Sequence, residues 1–111
     1  MAATCFKSEA SAFRADQFHT GIRANTWDVS FARMNGELAS SFIRADGHPS
    51  QLEVSARVEG GTLCLLVAQN NRKLEIPSGE TIVKLDDFDD GKILIRIVCE
   101  NATGGKIRIT T

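Results

Sequence analysis

Between residues 52 and 76 apolar and polar positions alternate in a phase that survives two turns. Leu52, Val54, Ala56 and Val58 alternate with Glu53, Ser55, Arg57 and Glu59, the period-2 mark of a strand with one buried face. Gly60-Gly61 predicts a two-residue hairpin turn that pairs Glu59 with Thr62, so that Val58, Ala56 and Val54 face Leu63, Leu65 and Val67. A second turn at Asn70-Asn71 pairs Val67 with Leu74 and Leu65 with Ile76. All these aliphatic side chains then share a face, and a one-residue slip would turn them to solvent.

The same grammar covers most of the chain. Trp27, Val29 and Phe31 alternate with Asp28, Ser30 and Ala32 up to Asn35-Gly36, a hairpin signal because a type I′ turn needs positive φ at both central residues. That hairpin sets Val29 opposite Phe42, Phe31 opposite Ser40 and Arg33 opposite Leu38, with Trp27, Phe31 and Phe42 on one face. Asp46 to Ser50 reads as a loop, Pro77-Ser78-Gly79 as a turn and Thr81 to Leu85 as a β-branched strand. Ile93, Ile95, Ile97 and Cys99 alternate with Leu94, Arg96, Val98 and Glu100, and a three-residue turn at Ala102-Thr103-Gly104 pairs Cys99 with Ile107 and Ile97 with Ile109. Residues 1–25 give mixed signals: Phe6, Ala10 and Phe13 have helical spacing, whereas Phe18, Thr20 and Ile22 alternate. We expect an irregular or short-helical start leading into an edge strand. About eight short strands joined by tight turns predict an all-β antiparallel two-sheet β-sandwich, with a small β-barrel as the alternative.

At 111 residues the chain is expected to be one domain, 1–111. A hydrophobic content of 42% and charged content of 24% argue against disorder. The net charge of −1 gives no electrostatic footprint for nucleic acid, and no segment approaches the apolar length needed for membrane insertion as a helix. Met1 to Lys7 has no basic segment followed by an apolar one, so no signal peptide is expected. The three cysteines, Cys5, Cys64 and Cys99, follow no metal-ligand spacing. Cys99 reads as a buried apolar residue, and a Cys64–Cys99 bond is left open.

The acidic loop is the most conspicuous polar cluster. Asp86, Asp87, Asp89 and Asp90 could offer hard oxygen ligands to calcium, although Phe88 breaks the D-x-[DN]-x-[DN]-G pattern and a solvated turn is the favoured reading of the loop. His19 and His48 are the two imidazoles, with no serine or cysteine in a nucleophile motif, so no enzyme is expected. Trp27 is the candidate platform for carbohydrate, but its phase with Val29 and Phe31 favours core packing. Cys64, Leu66 and Ala68 point away from the Leu63/Leu65/Val67 face and form an apolar strip that needs a cover. The expected cover is residues 1–25 through Phe6, Phe13 and Phe18, with a homodimer or protein partner as the alternative.

Trp27 to Phe31 with Asn35-Gly36, Val58 to Leu63, and Ile93 to Ile97 with Glu100 to Gly104 resemble small β-sandwich domains of uncharacterised secreted or lipid-anchored proteins of Gram-positive bacteria. The resemblance covers roughly residues 27–110 and implies a sandwich and an extracytoplasmic location, with no cofactor or catalytic residue to carry over. Cys5 lacks the preceding apolar segment of a lipoprotein precursor. The expected function is a non-enzymatic interaction or structural module; a carbohydrate- or calcium-binding module is the alternative.

Overall fold

β-Branched and aromatic residues fill the alternating segments and suit a pleated backbone; the described residues accordingly form strands and no helix. The computed structural model describes residues 6–9, 11–23 and 25–111. In chain order the strands are β1 (Lys7–Ser8), β2 (Ala12–Asp16), β3 (His19–Arg23), β4 (Thr26–Arg44), β5 (Gln51–Arg57), β6 (Gly60–Gln69), β7 (Arg72–Ile76), β8 (Gly79–Lys84) and β9 (Gly91–Thr110). All nine belong to one antiparallel sheet. β4 and β9 pair at its centre, β1 to β3 line the far edge of β4, and β5 and β6 line the far edge of β9, followed outward by β8 and β7. Among the described residues the outer strands do not pair with one another, so the sheet they form is not closed into a barrel.

Of the four predicted hairpins, the one at Asn70-Asn71 forms in the expected register, Val67 facing Leu74 and Leu65 facing Ile76. The other three are corrected. Asn35-Gly36 lies inside the uninterrupted strand β4, so Val29 faces Ile107 and Phe42 faces Ile93. Ala102-Thr103-Gly104 lies inside β9 in the same way. Gly60-Gly61 does not fold β5 back on β6; the two run end to end along β9, Val54 facing Ile109 and Leu65 facing Ile97.

These three glycine-containing sites meet at one level of the sheet and bend it. From Met34 to Gly36, β4 advances two residues while β9 moves three, from Ala102 to Cys99. β6 makes the same step from Gly60 to Thr62 against Thr103 and Glu100. The extra residue is therefore a bulge in β9 that both neighbours share, and bulges bend a strand and strengthen its twist. Positive φ at Gly36 (119°), Gly61 (80°), Asn101 (50°) and Gly104 (58°) accommodates the crease. Asn35 and Asn101 clasp it: the Asn35 Nδ2 donates to Asn101 Oδ1 at 3.0 Å, and the Asn101 amide donates to Asn35 Oδ1 at 2.9 Å. A glycine that opens the left-handed region serves a bend as readily as a reversal. The long-range pairing wins because it puts the isoleucines of β9 against apolar rows on both sides.

The crease divides the sheet into two halves whose inner faces share one core. Trp27, Val29, Val54, Ile107 and Ile109 come from the first half; Leu38, Phe42, Leu65, Val67, Ile95 and Ile97 come from the second. Trp27, Phe31 and Phe42 all face inward, as expected. In the N-terminal segment Thr20 and Ile22 lie on strand β3, as their alternation predicts, with Phe18 just before it, but the helical reading of Phe6 and Phe13 is overturned. Phe6 enters the core beside Phe42 (ring centroids 5.6 Å) and Trp27 (6.2 Å), Phe13 sits in β2, and Ala10 lies outside the described residues.

Candidate functional site

The outer face of the second half carries the predicted strip. Strand pairing places Ala68 beside Leu94, Leu66 beside Arg96 and Cys64 beside Val98, and alternation turns all six away from the core. Cys64, Leu66, Ala68, Leu94 and Val98 are half-buried and form one apolar strip. Leu94 and Val98 were missed as members because assigning them requires knowing that β6 runs beside β9.

The expected intramolecular cover is a correction. Phe6 is consumed by the core, and Phe13 and Phe18 stack on each other at 4.8 Å and pack against the core cluster. What the N-terminal segment does supply is a polar border. Glu9 accepts from Ser41 Oγ at 2.7 Å and from Lys92 Nζ at 3.0 Å, and Ser11 Oγ accepts from the Ala39 amide at 2.9 Å. The Ser41 hydroxyl and then the Lys92 ammonium hold the Glu9 carboxyl below its ordinary range.

The strip is electrically polarised along its length. Lys73, facing Ala68, and Lys92, paired with Glu9, stand at one end; Glu37, facing Val98 and paired with Arg96, and Glu100 stand at the other. In the middle, Glu75 faces Leu66 and accepts from Cys64 Sγ at 3.5 Å. Burial, reinforced by this carboxylate, pushes the Cys64 thiol up. Cys99 faces the opposite side of the sheet, where burial pushes its thiol up to about 11. The two thiols are not bonded, since adjacent strands present them on opposite faces; Cys5 lies outside the described residues.

The four aspartates of the acidic loop have distinct surroundings. Asp90 accepts from the Asp46 and Gly47 amides, each at 3.1 Å, and lies 3.8 Å from Arg44 Nη1. Arg44 also donates to the carbonyls of Phe88 (2.6 Å) and Pro49 (3.1 Å), clasping this loop to the 45–50 loop. Buried Gln69 exchanges hydrogen bonds of 2.7 Å with the Asp89 backbone in both directions. The Asp86, Asp87 and Asp89 side chains are exposed, and among the described residues no three carboxylate, imidazole or thiol groups converge on a common point. The loop is held by backbone and arginine contacts, with Phe88 as its buried anchor.

Trp27 is 2% exposed and its Nε1 donates to Thr20 Oγ1 at 3.1 Å, which leaves no indole face for a sugar. His48 caps the 45–48 turn through its backbone, and His19 stands exposed on β3. The chain matches no family model, no curated protein and no solved structure.

Proposed function

We propose that this chain is a non-catalytic interaction module that docks a second copy of itself through the strip formed by Cys64, Leu66, Ala68, Leu94 and Val98. The observation that carries the reading is the placement of Phe6, Phe13 and Phe18 elsewhere, so that none of the three aromatics expected to shield the strip lies over it. The charges support a second copy as the occupant. Lys92 is paired with Glu9 and Glu37 with Arg96, which leaves Lys73 at one end and Glu100 at the other. Two strips related by a two-fold axis lying across the strip therefore bring the positive end of each over the negative end of its partner. A two-fold interface uses the same patch on both subunits, and apolar patches rimmed by polar residues mark interaction surfaces.

Size-exclusion chromatography with light scattering, over a range of protein concentrations, tests the reading. Wild type is expected to form a dimer at the upper concentrations, and Leu66→Lys a folded monomer with an unchanged circular dichroism spectrum. A wild-type monomer at every concentration, or a folded Leu66→Lys dimer, overturns it.

A further inference from the structure

The outer face of the first half carries a different device. Strand pairing places His19 beside Ser30, Ser30 beside Lys106 and Lys106 beside Arg57, one unbroken row across β3, β4, β9 and β5. Alternation turns all four outward, because the next positions along β4, β9 and β5, Val29, Ile107 and Ala56, are buried, and Thr20 on β3 sits on the side of the buried Trp27 indole, which donates to it. Lys106 and Arg57 are the only facing pair of like charges in the ladders of the described residues. Directly opposed like charges destabilise a sheet. Elsewhere on the same face the chain avoids that cost: one rung further, Arg108 faces Asp28 and donates to it at 2.7 Å. The ion pairs among the described residues are Arg44–Asp90, Lys92–Glu9, Arg96–Glu37 and Arg108–Asp28, and none includes Lys106 or Arg57.

We infer that His19, Ser30, Lys106 and Arg57 form a binding site for a dianionic phosphate group, either inorganic phosphate or a small phosphomonoester. Two surface hollows meet over this row, both lined by the same four residues. Glu80 lines one hollow, Glu59 lines the other with its side chain over Gly104, and Asp28 is already engaged by Arg108. The row itself carries two fixed positive charges for a phosphate group of about −1.5 to −2 at neutral pH, and the lining as a whole, with Glu59 and Glu80 set against Arg23, stays net positive. Strands about 4.8 Å apart place Ser30, Lys106 and Arg57 within about 10 Å of one another at the backbone, a span that the long lysine and arginine side chains close. Arginine supplies a planar fork to phosphate oxygens, lysine a mobile point charge, and the serine hydroxyl and imidazole supply further donors. Gly21, next to His19 on the outward face, leaves open space, with nothing within 4 Å of where a side chain would begin. The body of a monoester can lie there. A bound dianion turns the repulsion between Lys106 and Arg57 into shared attraction.

The test is a titration of the 15N-labelled full chain followed by amide chemical shifts, with inorganic phosphate and glycerol 3-phosphate as probes and sodium chloride of equal ionic strength as reference. Saturable shifts confined to the region of His19, Ser30, Arg57 and Lys106, in the millimolar range and absent with chloride, are the expected result. Arg57→Gln and Lys106→Gln are each expected to weaken binding about tenfold or more, as lost charge-assisted hydrogen bonds do. Lys84→Gln, outside the row, leaves binding unchanged. Equal affinity for the two probes assigns recognition to the phosphate group alone; tighter glycerol 3-phosphate adds a contact beside Gly21. Arg57→Gln, freed of the repulsion, melts no lower than wild type in chloride but loses the thermal shift that phosphate gives wild type. Shifts that merely follow ionic strength, shifts centred elsewhere, or undiminished binding by both row variants overturn the assignment.

Discussion

The shared crease makes a sharp prediction at Gly61. Gly61 (φ +80°) and Gly47 (φ +74°) have nearly the same backbone conformation, so an added Cβ costs each about 1–2 kcal/mol of left-handed strain. Alanine returns about 0.4–1 kcal/mol to both by restricting the unfolded chain. Their surroundings differ. At Gly47 the nearest atom to the new Cβ is the flexible end of Arg44, 4.0 Å away, whereas at Gly61 the Cβ would overlap the Asn101 carbonyl and approach the Cα of Ala102. Those are backbone atoms of the central strand, held by the Asn35–Asn101 clasp. Relieving the overlap means prising β6 from β9, an overpacking cost of about 1–3 kcal/mol. Gly47→Ala is thus expected to be nearly neutral to mildly destabilising, and Gly61→Ala to lose about 1–3 kcal/mol more, roughly 5–15 °C of additional melting-temperature decrease. Urea unfolding followed by fluorescence reads this cleanly, because the chain has a single tryptophan and Trp27 is buried. A hairpin turn at Gly60-Gly61 would make Gly61 an open loop tip that behaves like Gly47. Coincident midpoints for the two variants would refute the crease.

Two other side chains give smaller, signed expectations. Ser40 Oγ is buried on the core face without a hydrogen-bond partner among the described residues, so Ser40→Ala is expected to raise stability by about 1 kcal/mol, read as a higher urea midpoint; a lower midpoint would show that the hydroxyl is satisfied. Glu9 is held below its ordinary value of 4.5 by Ser41 and Lys92, so its stabilising contribution is present above the unfolded-state value and disappears as pH falls through the lower folded-state value. Melting temperatures measured from pH 6 downward should therefore decline less steeply below about pH 4.5 in Glu9→Gln than in wild type, and parallel declines would dismiss the contact.

The strands were legible and their partners mostly were not. Alternation at Leu52–Ala56, Trp27–Phe31 and Ile93–Cys99 identifies inward residues correctly because a half-buried strand needs period 2 whichever neighbour it meets. The Asn70-Asn71 hairpin was legible for a local reason: its two strands are consecutive and pair only through that turn on that side. At Asn35-Gly36 the inward phase changes from Val29 and Phe31 to Leu38 and Phe42. A hairpin and a bulge both produce such a change, and both recruit asparagine and glycine for positive φ. What separates them is the partner strand, and at Gly36 that partner is Cys99, far along the chain in β9.

The two surfaces differ in legibility for the same reason. Cys64, Leu66 and Ala68 could be singled out because they sit on one strand whose other face is already apolar, so the anomaly is local. Leu94 and Val98 alternate within a run that looks ordinary until β6 is laid beside it. The row of His19, Ser30, Lys106 and Arg57 has no local signature at all. Each residue is an unexceptional polar position on its own strand, and the chain's net charge of −1 hides the pair of cations. Only the register that the β9 bulge creates brings Lys106 opposite Arg57: continuing the ladder of the second half without the extra residue would put Gly105 there. The bulge that bends the sheet around its core is therefore also what sets two like charges face to face on its surface.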